Sequence, residues 1–126
     1  MMKSDIYPIK VTLLSEGWNP PATNEDIKRL SSMVPSNVFV KLEKLYQFGD
    51  GFADGVYDKG SKIYLWPLGE VISNFQVTDY ILIGDYMIGS DFVAIDFKEQ
   101  NHSIFLLESF LEICPSLDMF LSNIDS

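Results

Sequence analysis

Residues 80–97 read YILIGDYMIGSDFVAIDF, and this stretch decides the fold. Two runs rich in β-branched and aromatic residues flank Gly84-Asp85 and Gly89-Ser90-Asp91, the pattern of a β-hairpin with a long loop. Glycine suits a backbone leaving extended geometry, and aspartate can accept from a neighbouring N–H. Between them Tyr86, Met87 and Ile88 are apolar where a loop is ordinarily polar. Such a tip either folds back onto the core or stands out as a contact for a partner or for a second copy of the chain. In the second case Asp85 and Asp91 form its charged rim.

Outward from the hairpin, local signals place the remaining elements. Thr23 followed by Asp26 is a capping box in its acidic form, opening a helix to about Met33 with Ile27, Leu30 and Val34 on one side. Val34-Pro35 ends it. Ser36 or Asn37 is expected to cap a second helix, with Val38, Leu42, Leu45 and Tyr46 as its stripe and Gly49 as the C′ residue after its end. Residues 50–60 read as a loop and Lys62–Trp66 as a strand. Pro67 opens a short helix carrying Val71 and Ile72. A strand near Ser103–Leu107 is expected to extend through Phe110. Pro115-Ser116 then starts a closing helix with Leu117, Phe120, Leu121 and Ile124 at i, i+3, i+4, i+7. Before Asn19-Pro20-Pro21 the chain is irregular, with Val11, Leu13 and Leu14 as a short strand. Helices bracketing hairpin-connected strands predict one α+β domain over 1–126, with a mostly antiparallel sheet.

A chain of 126 residues with 47 % apolar and 13 % aromatic content can bury a core without disulfides or metal. Cys114 is the lone cysteine, and the N-terminus lacks the continuous apolar core of a signal peptide, so a cytoplasmic location is expected. The net charge of −9 is uneven: residues 63–126 hold Lys98 alone against ten acidic residues, while residues 1–62 balance eight against eight. That charge disfavours nucleic acid and anionic membranes and favours a basic protein partner.

One histidine and one cysteine exclude the usual zinc sites, and no nucleophile elbow, Walker loop or dinucleotide-binding glycine pattern occurs. Asp50, Asp54 and Asp58 are spaced by four, unlike the alternating ligands of a calcium loop, and read as turn aspartates. His102 beside Asn101 reads as a turn residue, and Trp66 ahead of Pro67 as a core residue. No catalytic residue, metal or cofactor is expected.

The order of these pieces resembles the SUKH superfamily, which includes the Smi/Knr cell-wall regulators of fungi and many bacterial immunity proteins. The resemblance covers about residues 23–124. It rests on the helix from Thr23-Asn24-Glu25-Asp26-Ile27 and on Val34-Pro35 opening a helix that ends YQFGDG. It continues through Ile63–Trp66 leading into LGEVI, IGDYMIGSDFVAIDF, and the closing PSLDMFLSNI. Phe48 stands where that family commonly has asparagine. The resemblance implies a non-enzymatic protein that neutralises a cognate toxin, of nuclease or deaminase type, by direct binding. The alternative it implies is a regulatory scaffold of the Smi/Knr kind. A partner surface would then draw on Asp85, Tyr86, Met87, Ile88 and Asp91 of the hairpin, together with Asp50 and Asp54.

Overall fold

The alternation in residues 80–97 produces two antiparallel strands, β3 (Tyr80–Tyr86) and β4 (Asp91–Asp96). This computed structural model describes residues 1–11 and 17–124. The other strands among those residues are β1 (Met2–Lys3), β2 (Ile63–Leu65), β5 (Ile104–Leu106) and β6 (Leu111–Cys114). They form one six-stranded sheet in the order β1-β6-β5-β4-β3-β2, antiparallel throughout except that β1 runs parallel to β6. The helices are α1 (Asn24–Ser31), α2 (Ser36–Phe48), α3 (Leu68–Ser73) and α4 (Leu117–Ser122). The fold is therefore α+β with a mostly antiparallel sheet, N-terminal helices and a closing helix, as the sequence predicts.

Residues paired across strands share a face of the sheet, so the register sorts every side chain. Ile63, Leu65, Ile81, Ile83, Val93, Ile95, Ile104 and Leu106 lie on the inner face and are at most 2 % exposed. They share one core with Leu30 of α1, Val38 and Leu42 of α2, Leu68 and Val71 of α3, and Leu117 and Phe120 of α4. The outer face carries Tyr64, Tyr80, Leu82, Asp85, Phe92, Ala94 and Phe105.

Several local expectations hold. Thr23 accepts from Asp26 N at 3.2 Å and Ser116 from Met119 N at 3.0 Å, each satisfying a donor at its helix start. Trp66 is buried in the core. His102 is a turn residue with φ 54°, and it is buried besides. Its Nδ1 faces the Asp96 carbonyl oxygen at 3.1 Å, so it carries the proton, and Nε2 accepts from Asn37 Nδ2 at 3.1 Å. The lone histidine thus ties α2 to the β4–β5 connection.

Other expectations need correction. Pro35, not Ser36 or Asn37, occupies the N-cap of α2. The Asn37 amide is committed to Val38 N and to His102. Gly49 does follow the end of α2, its N–H donating to Leu45 O, and its backbone is extended (φ −167°). A Cβ there would lie 3.0 Å from the Trp18 ring and 3.1 Å from the Asn19 carbonyl oxygen, so the glycine sits in a tightly packed position. The strand after Ser103 ends at Leu106, and the chain turns and returns as β6 instead of continuing through Phe110. Val11 forms a parallel bridge with Ile124, whereas Leu13 and Leu14 lie outside the described residues.

The hairpin turn is also shorter than expected. Gly84, Asp85 and Tyr86 belong to β3 and Asp91 to β4, leaving residues 87–90 as the connection. Gly84 marks a bulge: the register shifts between Leu82 and Gly84, and a Cβ on Gly84 would lie within 2.4 Å of the Tyr64 carbonyl oxygen.

Candidate protein-binding surface

The free edge of β2 is covered by its own neighbouring loop. Phe52 N donates to Leu65 O at 2.9 Å and Asp58 N to Ile63 O at 2.9 Å, so residues 52–58 run alongside the strand. Trp18 anchors that loop by meeting Phe52 edge-on, ring centroids 4.8 Å apart. Asp50 Oδ1 accepts from Leu68 N at 2.7 Å, serving as the cap that Pro67 cannot provide for α3. These contacts fix the loop, α3 and the β2–β3 edge relative to one another.

At this junction three elements enclose an open hollow of about 470 Å³. Asp54, Gly55 and Tyr57 come from the loop, Glu70 from the first turn of α3, and Ile88 and Gly89 from the hairpin turn. Tyr64 and Asp85 pair across β2 and β3 and line the same hollow. Asp85 Oδ2 accepts from the Trp66 indole at 3.0 Å, and the Trp66 ring meets Phe92 edge-on at 6.1 Å. The lining holds three carboxylates and neither lysine nor arginine. Burial raises the Tyr64 phenol above its ordinary value, and the charges of Glu70, Asp54 and Asp85 raise it further. Its hydroxyl therefore stays protonated at neutral pH, a donor set among acceptors.

The rim is strained. Met87, Ile88 and Gly89 take φ values of 50°, 54° and 83°, and Ser90 closes the turn by donating from N and Oγ to Tyr86 O. A β-branched residue seldom adopts positive φ, because its Cβ crowds the following carbonyl. Ile88 is also 81 % exposed, so burial does not compensate for the strain. Ile88→Asn should stabilise the fold by roughly 0.5–1 kcal/mol, since asparagine tolerates this conformation. Urea unfolding checks this. A lower midpoint for the variant would mean that the isoleucine is packed.

Of the residues singled out in the sequence, Asp54, Asp85 and Ile88 meet at the hollow, and Met87 stands half-exposed beside it. Three others serve elsewhere. Tyr86 is a strand residue packed against the core, and Asp50 caps α3. Asp91 is only 5 % exposed and is no rim. It accepts from Phe92 N, Glu108 N, Ser109 N and Ser109 Oγ, between 2.7 and 3.0 Å. Tyr57, Tyr64, Trp66 and Glu70 were not singled out as binding residues. The period-2 position of Tyr64 between Ile63 and Leu65 was the available signal.

Burial works to raise the Asp91 carboxyl, and its four donors outweigh burial and leave it below the ordinary 3.8. The folded state then binds that proton more weakly than the unfolded chain. The resulting stability is present above the unfolded value and is lost as pH falls through the lower folded one. Asp91→Asn should be less stable than the parent at pH 7, with the gap narrowing at a pH below the ordinary 3.8. Denaturant midpoints at both pH values check this. A gap that stays constant would mean the charge contributes nothing.

Among the described residues no three His, Cys, Asp or Glu side chains are placed to share a metal ion. Asp58 accepts from Ser61 N and Oγ at 2.9 and 2.5 Å, a role separate from those of Asp50 and Asp54. Among the same residues no helix is long and apolar enough to cross a membrane. Comparison with known family models and with curated proteins gives no match.

Proposed function

We propose that the chain is a non-enzymatic binding protein that neutralises a basic partner by direct contact, as a cytoplasmic immunity protein does a toxin of nuclease or deaminase type. The observation that carries this reading is the acidic, tyrosine-lined hollow rimmed by a strained, exposed isoleucine. Strain persists where the surrounding structure enforces it and clusters at functional sites. A nucleic-acid cleft is basic because it must hold phosphates, so an acidic protein can occlude it and gains association rate through steering. The same charge works against nucleic acid and anionic lipid as partners. The partner-facing residues are Asp54, Tyr57, Tyr64, Glu70, Asp85 and Ile88.

Co-expression with the C-terminal domain encoded by the adjacent reading frame tests the reading. The chain should restore growth. Asp54→Lys with Glu70→Lys, both exposed and so compatible with folding, should weaken binding at least tenfold, about 1.4 kcal/mol. Failure to restore growth, or unchanged affinity in the reversed variant, would contradict it.

A further inference from the structure

An antiparallel sheet with helices on one face ordinarily presents polar residues on the other. This sheet does not: its outer positions include Tyr80, Leu82 and Phe92, all half-buried, and the buried Ala94 and Phe105. The apolar surface open to a partner is therefore the flanks of the half-buried side chains and the exposed Phe110. Phe105 is 5 % exposed yet lies outside the inner core. It meets Tyr80 and Phe110 edge-on, each with ring centroids 6.1 Å away. Phe110 is 60 % exposed with φ 55°. A hollow of about 200 Å³ lies between Leu82, Phe92 and Leu107 and the segment from Asn74 to Thr78. The face is continuous with the acidic hollow, because Asp85 pairs with Phe92 and Trp66 touches both.

Its charge selects the occupant. Asp85, Asp96 and Glu112 are the charged residues that the register of β3, β4 and β6 places there. Lys3 sits at the far β1 edge, over the Tyr7 ring, and Lys98 beyond the strand ends pairs with Asp79 at 3.4 Å. Two such faces would repel each other, so a second copy is disfavoured. We infer that the outer face is the apolar half of the binding surface, and that it takes a protein surface whose apolar centre is flanked by lysine and arginine. The inference rests on the binding-protein reading and specifies where that binding occurs.

A displayed library of random disulfide-closed peptides, selected on the immobilised protein, tests it without any toxin. Enriched peptides should carry Lys or Arg beside aromatic or aliphatic residues. They should bind Phe110→Ser and Phe110→Ala at least tenfold more weakly than the parent, and Met119→Ser, an exposed change on α4, as the parent does. No enrichment over an uncoated surface, enriched peptides without basic residues, or equal binding to both Phe110 variants would overturn the inference. Failure of growth restoration alone would count against the immunity reading and leave this test standing. Restored growth with full toxin affinity in the Phe110 variants would overturn the inference alone.

Discussion

Phe120→Ala is expected to lower stability by about 3–5 kcal/mol, the range for a fully buried phenylalanine cut back to a methyl group. Phe120 is 0 % exposed, and α4 has six residues, too few to hold a helix without packing. The helix also organises the N-terminal segment. Asn123 Nδ2 donates to Ile9 O at 2.9 Å, and its carbonyl accepts from Val11 N at 3.1 Å. Loosening α4 should therefore release residues 9–11 as well. Equilibrium urea unfolding measures the loss. A value well under 1 kcal/mol would mean that α4 contributes little to the core.

Gly51→Ala should cost about 2–5 kcal/mol by combining two penalties. Gly51 has φ +72°, where a side chain costs about 1–2 kcal/mol. Its Cβ would lie 2.5 Å from the Trp66 carbonyl carbon and oxygen, and overpacking adds about 1–3 kcal/mol. The strain falls where the loop meets the β2–α3 corner, so the hollow should be distorted in whatever variant still folds. Gly55→Ala is the matched control, with φ +77° and nothing within 4 Å of the new Cβ. Equal losses at both positions would show that conformation alone, and not the contact with Trp66, requires glycine at 51.

Elements with local causes were legible in the sequence. Thr23 and Ser116 cap their helices through donors three residues away, and the alternation around the hairpin fixes which strand residues face the core. The errors arose where distant residues decide. By sequence Phe110 prolongs a strand, but Asp91, held 17 and 18 residues back, gathers the N–H groups of Glu108 and Ser109 and turns the chain into β6. Strand β1 has two residues and exists only through its pairing with Leu111 and Glu112. At Gly49 and Gly84 the sequence suggests a backbone that ends or leaves an element, whereas the close approach of Trp18 and of the Tyr64 carbonyl is what each accommodates.

The candidate site divides in the same way. Asp54, Asp85 and the apolar tip could be picked out one by one as charge and hydrophobicity. Their meeting at one hollow with Tyr57, Tyr64 and Glu70 depends on the β2–β3 register and on the loop that runs along β2. Asp91 looked like a rim residue by its place beside a turn, and proved to be the internal ligand of another turn.

Trp66 provides the most direct test, because its indole donates to Asp85 at the edge of the hollow. The chain holds two tryptophans, so Trp18→Phe leaves Trp66 as the reporter. Titrating that variant with the proposed basic partner, the C-terminal domain expressed from the adjacent reading frame, should change the Trp66 emission saturably. The affinity should fall at least tenfold when Asp54 and Glu70 are both replaced by lysine, and should weaken with rising salt. Tight binding that leaves Trp66 emission unchanged and is indifferent to both substitutions would contradict the account.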